Sequence, residues 1–112
     1  MSDYIETMAG APFKNCIYLE KVNLGSRLTE IPNNCFYYCE SLKEIKIPNS
    51  VTRIGRYAFE SCMSLESVEV PPSVKYIDDF AFKNSGVKYL KIPNDCEVGV
   101  GVIGFNMKVE RY

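Results

Sequence analysis

Apolar residues recur along this chain with a step of 23. Phe13, Phe36, Phe59, Phe82 and Phe105 stand in one column. Ile31, Ile54 and Ile77 form a second, with Met8 before them and Val100 after. Ile5, Leu28, Val51 and Val74 form a third, Leu19, Leu42 and Leu65 a fourth, and Val22, Ile45 and Val68 a fifth. Cys16, Cys39 and Cys62 keep the same step, with Ser85 in the next place. A fixed period of this length marks a solenoid, in which one unit buries its apolar side chains only against the units stacked above and below it.

The unit is clearest from Leu42. Ile45 and Ile47 flank the polar Lys46, the alternation of a half-buried strand. Pro48 removes a backbone donor and ends that strand. Val51 and Ile54 begin a second short extended piece, and Gly55 supplies a corner. Ala58-Phe59-x-x-Cys62 then has the three-to-four spacing of one or two helical turns. These features predict an α/β solenoid of about 4–5 coils, with parallel strands on one side and short helices or turns opposite. Its expected layout is a single domain, 1–112, with a partial first coil 1–18, coils 19–41, 42–64 and 65–87, and a terminal coil 88–112.

The run Ile47-Pro48-Asn49-Ser50-Val51-x-x-Ile54-Gly55-x-x-Ala58-Phe59-x-x-Cys62-x-x-Leu65 resembles the leucine-rich repeats of the BspA or Treponema type. The resemblance extends from about Ile5 to Phe105. It implies a right-handed solenoid with its parallel sheet on the concave face. It also implies a surface or secreted protein that binds other proteins, often as an adhesin, and it carries over no catalytic residues. Some positions depart from the pattern. Asn84-Ser85-Gly86-Val87 is one residue shorter than the matching stretch before it, and Pro12 and Pro32 replace the residues matching Ala58 and Gly55. With Phe105 back in register, an extra residue is expected between Ile92 and Val100, as a bulge near Asp95-Cys96-Glu97.

Candidate binding residues are the ones the core pattern leaves free. Across the strands they form three rows: Glu20, Lys43, Glu66 and Lys88; Lys21, Glu44, Ser67 and Tyr89; Asn23, Lys46, Glu69 and Lys91. The first row alternates in sign at every step. Neighbouring strands bring such side chains to about 5 Å, so the rows are either an ion-pair ladder or a polar recognition face anchored by Tyr89. Tyr37 and Tyr38 replace polar pairs of other coils, and Tyr57 and Phe80 match one another. Tyrosine at variable positions suits a protein interface, since it adds rigid area with a polar tip; the alternative is that these rings simply cover neighbouring coils. The candidate protein-binding set is therefore Lys43, Glu44, Lys46, Glu66, Glu69, Lys88, Tyr89, Lys91, Tyr37, Tyr38 and Tyr57.

Composition narrows the chemistry. The 112 residues are 46% hydrophobic and 24% charged, as in a globular protein rather than a disordered one. No apolar run is long enough to span a bilayer. A formal charge of -1 from 13 basic and 14 acidic residues offers nucleic acid no basic field. Histidine is absent, which removes the commonest general base and metal ligand. Of the five cysteines, three share a core column, where a thiol acts as a small hydrophobe. Cys35 and Cys39 lie close in sequence but in different columns. Gly99, Gly101 and Gly104 lack the Lys-Ser or Lys-Thr of a phosphate loop. No metal, cofactor or catalytic residue is expected.

The leading expectation is a non-catalytic module that binds a protein through its concave sheet or its tyrosine-bearing flank. Two other readings stay open: a small inhibitor from a phage or mobile element that blocks an intracellular enzyme, and a fragment of a longer surface adhesin array. The first residues lack the basic and apolar regions of a secretory signal. The chain as written is thus expected in the cytoplasm, or at the cell surface if it belongs to a longer exported protein. The segments from Ile5 to Phe13 and from Val98 to Phe105 lack a polar cap. A homodimer through open solenoid ends is therefore expected unless these segments close the core themselves.

Overall fold

Among the described residues, seven short strands, all paired in parallel, wind into a β-solenoid of about four turns. The computed structural model describes residues 13–112, so the expectations for Ile5, Met8, Pro12 and the edge before Phe13 lie outside the described residues. The strands are β1 (Glu30–Ile31), β2 (Arg53–Ile54), β3 (Ser67–Glu69), β4 (Tyr76–Ile77), β5 (Tyr89–Ile92), β6 (Glu97–Val98) and β7 (Lys108–Arg111). They form two sheets, ordered β1-β2-β4-β6 and β3-β5-β7. The later coils thus have a side in each sheet and a third side made of turns, while the coils before β3 have a strand in the first sheet alone. Pro71 and Pro93 follow closely on β3 and β5, where a missing N–H stops the ladder.

Inside, the Phe13, Phe36, Phe59 and Phe82 rings stack with centroids 5.2, 5.2 and 5.4 Å apart. Leu28, Val51 and Val74, Ile31, Ile54 and Ile77, and Cys39 and Cys62 are buried around them. The repeat columns are therefore the core. Gly55 stands where the coil passes closest to its neighbour: a Cβ there would lie 2.6 Å from the Asn33 backbone nitrogen.

The third side is built of turns, and among the described residues no helix occurs. Its hydrogen bonds show why. The amides of Ala58, Glu60 and Cys62 bond back to Gly55, Tyr57 and Phe59 of their own turn. The amides between them, at Tyr57, Phe59 and Ser61, bond instead to Asp79, Ala81 and Lys83 of the next coil, and Asn34, Phe36 and Tyr38 do the same one coil earlier. An α-helix would keep every amide for itself. Turning alternate peptides outward calls for left-handed backbone, found at Asn34, Tyr57 and Phe80 and at Asn15, Tyr38, Ser61 and Asn84, two further columns of the repeat. Such φ values are uncommon for aromatic residues. The stacking of Tyr57 on Phe80, at 5.6 Å, offsets part of that cost.

The last coil corrects the sequence reading. Ile54 pairs with Ile77, one full period on, but Ile77 pairs with Val98, two positions short of the next period. No residue is inserted after Ile92; one more is missing. Val98, not Val100, thus continues the isoleucine column, and Val100 is exposed. The turn side spans 55–66 after β2, 78–88 after β4 and 99–107 after β6, so it shortens at each step. So short a final turn cannot carry a fifth phenyl ring inward. Phe105 leaves the column and is 100% exposed, while Val102 is buried in the core. Gly101 takes the left-handed position of Phe80, whose ring occupies the space a Gly101 Cβ would need.

Phe59→Ala should remove about 3–5 kcal/mol, the usual cost of deleting a buried phenylalanine, and Phe105→Ala almost none. Urea denaturation of the two variants beside the parent checks this; equal midpoints for both would show that the stack is not the core.

Candidate interaction surface

The β3-β5-β7 face carries the three polar rows. Val68, Leu90 and Val109 point inward, and Ser67, Glu69, Tyr89, Lys91, Lys108 and Glu110 point outward. Lys91 is the hub of the paired half. Its ammonium lies 3.6 Å from Glu69 and 3.9 Å from Glu110, and 5.3 Å above the Tyr112 ring. Tyr89 donates its hydroxyl to Glu110 at 2.8 Å, which raises its pKa. The third row thus extends one place beyond its expected end, to Glu110, and its ladder reading holds in this half.

The amino-terminal half of the same face differs. Lys43 bonds its N–H to Glu20 at 2.9 Å, and its ammonium sits 3.3 Å from the Glu20 carboxylate. Beyond that point the ladder opens. Among the described residues, no backbone hydrogen bond joins the segment from Glu44 to Ile47 to the coil on either side. A shallow groove runs there between Lys21, Val22 and Asn23 on one wall and Glu44, Ile45 and Lys46 on the other. A second groove lies between Lys46 and Glu69, closed at its far end by Pro71, Pro72 and Tyr112. Lys43, Glu66 and Lys88 border a third hollow with Met63, Ser64 and Gly86.

Tyr37, Tyr38 and Tyr57 belong to the turn side, away from these rows. Tyr37 and Tyr38 meet edge to face at 4.8 Å, and the Lys14 ammonium lies 5.5 Å over Tyr37. Lys83 covers Tyr57 and Phe80 in the same way, at 6.0 and 5.5 Å. The structure therefore splits the candidate set between two surfaces.

Sequence reasoning misses the ion pairs of the β1-β2-β4-β6 face. Arg53 pairs with Asp78, Arg56 with Asp79 at 3.9 Å, and Lys75 with Asp95 at 2.7 Å. Burial pushes the Asp78 pKa up, but the Asp79 N–H and the Arg53 guanidinium outweigh it and leave it lowered. The signal lies in the period itself: Asp79 stands 23 positions after Arg56, and Asp78 two positions after Tyr76, the register partner of Arg53.

Four of the five thiols are buried in the core, and Cys16 is half-buried against it. Cys35 and Cys62 are pushed up to about 12 and Cys39 to about 11, in each case first by burial. Cys39 donates its S–H to the Phe13 carbonyl at 3.0 Å, and Cys62 to that of Phe36 at 3.2 Å, one coil apart. Among the described residues no disulfide joins the five cysteines. Among the described residues no group of three histidine, cysteine or acidic side chains could hold a metal ion, and no helix is long and apolar enough to cross a membrane.

The family model of the BspA-type leucine-rich repeat region matches residues 1–101 in six copies. Among solved structures, a leucine-rich repeat protein from Bacteroides ovatus ATCC 8483 is similar over 92% of the chain, at 29% identity and a TM-score of 0.78. The chain spans 33% of that protein's length. A leucine-rich repeat protein of T. pallidum is similar over 91% of the chain and 71% of its own length, with 24% identity and a TM-score of 0.67, which speaks for the fold alone. No curated protein sequence matches the chain.

Cys35, Cys39 and Cys62 should react slowly with a thiol reagent in the native protein, and all five cysteines should react once it is unfolded. Unfolded thiols ionise at about pH 8.5, well below the folded values, so between these limits the native state holds protons that the unfolded state has lost. Stability should therefore fall as pH rises from about 9 towards 12. Denaturant midpoints across that range test the sign, and a parent that gains stability there contradicts a buried thiol column.

Proposed function

Since the chain belongs to the BspA-type leucine-rich-repeat family, we propose that it is a non-catalytic protein-binding module whose contact surface is the amino-terminal half of the concave face. One observation carries this reading. The carboxyl-terminal half spends its charges internally, on Lys91, Glu69 and Glu110. By contrast, the segments from Lys21 to Asn23 and from Glu44 to Lys46 leave backbone donors and acceptors open along a groove. Polar groups that the fold leaves unmatched are those a partner can match, and buried contacts of this kind give binding its specificity. Lys43, Glu66 and Lys88 border the same face, with Glu69, Tyr89 and Lys91 as its rigid floor. The exposed carboxyl-terminal end is a separate surface, and we infer that it meets a second copy of the chain.

Affinity capture from cells with the parent, a groove variant (Glu44→Lys with Lys46→Glu) and a turn-side variant (Lys14→Glu) tests the location. The groove variant should lose the parent's specific partner by about tenfold or more, as expected when central polar contacts are reversed, while keeping the parent's melting temperature. The turn-side variant should retain it. Loss with Lys14→Glu and retention with the groove variant would move the interface to the tyrosine-bearing flank.

A further inference from the structure

The carboxyl-terminal end pairs an open strand edge with an apolar patch. β7 closes the β3-β5-β7 sheet and, among the described residues, has no strand on its outer side. In the turn that leads from β6 to it, Ile103 is exposed, Val100 more so and Phe105 fully. One feature does close part of the end: the Arg111 guanidinium donates to the carbonyls of Pro93, Asn94 and Cys96, at 3.3, 3.1 and 3.0 Å. It ties down the loop between β5 and β6 but covers neither the β7 edge nor Phe105.

The backbone of β7 dictates what can pair there. The Lys108 N–H bonds to the Lys88 carbonyl at 2.7 Å, and the Tyr112 N–H to that of Ile92 at 3.0 Å. Lys108, Glu110 and Tyr112 thus turn their backbone groups towards β5. Successive residues of a strand present these groups to opposite edges, so Val109 and Arg111 present theirs outward.

We propose that two copies of the chain join β7 to β7 as an antiparallel pair centred on Val109, a proposal that rests on the end contact inferred above. In this register Val109 exchanges both backbone hydrogen bonds with Val109 of the second copy, using the groups that face outward. Lys108 falls opposite Glu110, which also accepts from Tyr89 and lies 3.9 Å from Lys91, and by symmetry Glu110 opposite Lys108, so one contact adds two opposite-charge pairs to that network. These are non-hydrogen-bonded positions, where side chains approach most closely. The valines meet on the inner face and the charges on the outer, so both sheets keep their polarity across the two-fold axis. The neighbouring registers fail: centring on Lys108 opposes two lysines, and centring on Glu110 opposes two glutamates. A head-to-tail stack continues the second row from Lys108 to Lys21 of the next copy, again like against like. The two end faces come together behind the strands, so Phe105 and Val100 leave water. This register is the one that satisfies backbone, charge and apolar surface at once.

Sedimentation equilibrium of the full chain over a wide concentration range provides the test. The parent should form dimers and nothing larger. Lys108→Glu and Glu110→Lys should each weaken the dimer about tenfold, since each turns two attractive pairs into repulsive ones. The variant carrying both changes should recover most of the loss, and Phe105→Ser should weaken the dimer without rescue. Melting curves confirm that each variant is folded. Concentration-dependent protection of the Val109 amide against hydrogen exchange in the parent gives a second readout that needs no variant. A parent that stays monomeric overturns both the end contact and its register. A dimer weakened by Phe105→Ser but indifferent to the charge reversals, or not rescued by the double change, overturns the register alone. Mass that grows beyond the dimer points to head-to-tail stacking and overturns the two-fold pair.

Discussion

Everything in this molecule depends on the bonding of alternate amides from one coil to the next along the turn side. A single coil cannot hold its own shape, because its apolar side chains have no core except the neighbouring coils. The Phe36, Phe59 and Phe82 stack supplies the area, but stacked rings alone would allow coils to slide or tilt. Tyr57, Phe59 and Ser61 donating to Asp79, Ala81 and Lys83 fix both the spacing and the rotation of each coil on the next. Each such bond contributes only about 1 kcal/mol net. Leaving one unmade inside the stack costs more than that, so the register resists slippage. The left-handed residues at Asn34, Tyr57 and Phe80 are the local strain that this bonding demands.

The columns of the repeat are legible in the sequence because burial acts residue by residue. Phe13 to Phe82, Ile31 to Ile77 and Leu28 to Val74 each sit where an apolar side chain must go, and each lies where the period places it. The turn side is only half legible. Ala58-Phe59-x-x-Cys62 has helical spacing, but spacing records which side chains face inward and is silent on which carbonyl receives each amide. The end of the array misleads for a related reason. Phe105 falls one full period after Phe82 by coincidence of position, while the strand register has already shortened at Gly86 and again before Val98. A period counted along the chain is blind to such deletions. Pairing is not.

The polar rows show the same limit on the functional side. Glu69, Lys91 and Glu110 behave as alternation of sign suggests, and an exposed ladder of this kind adds little stability while holding the strands in line. The sequence places Lys43, Glu44 and Lys46 in the same rows, but only the structure separates them, because opening of a ladder depends on how two backbones approach and not on the residues that point away from them. Tyr37, Tyr38 and Tyr57 share a side-chain type with Tyr89, and the fold puts them on another side of the coil.

Shortening of the last coil links the fold to its surfaces. As the turn side loses residues, it loses the room for a phenyl ring, and the ring moves outward to Phe105. The same contraction brings β7 alongside β5 well before a full period has passed, with Lys108 opposite Tyr89, so among the described residues the sheet's last strand is β7. A regular fifth coil would have kept Phe105 inside and spent the edge of β7 on a stack of the same period. The taper instead leaves apolar surface and unpaired backbone at one place, which is the combination that favours association through strand addition. The groove at the other half has open backbone and a lining in which Val22 and Ile45 alternate with charged and polar side chains. Contraction of the last coil thus makes the two halves of one repeat array chemically unlike.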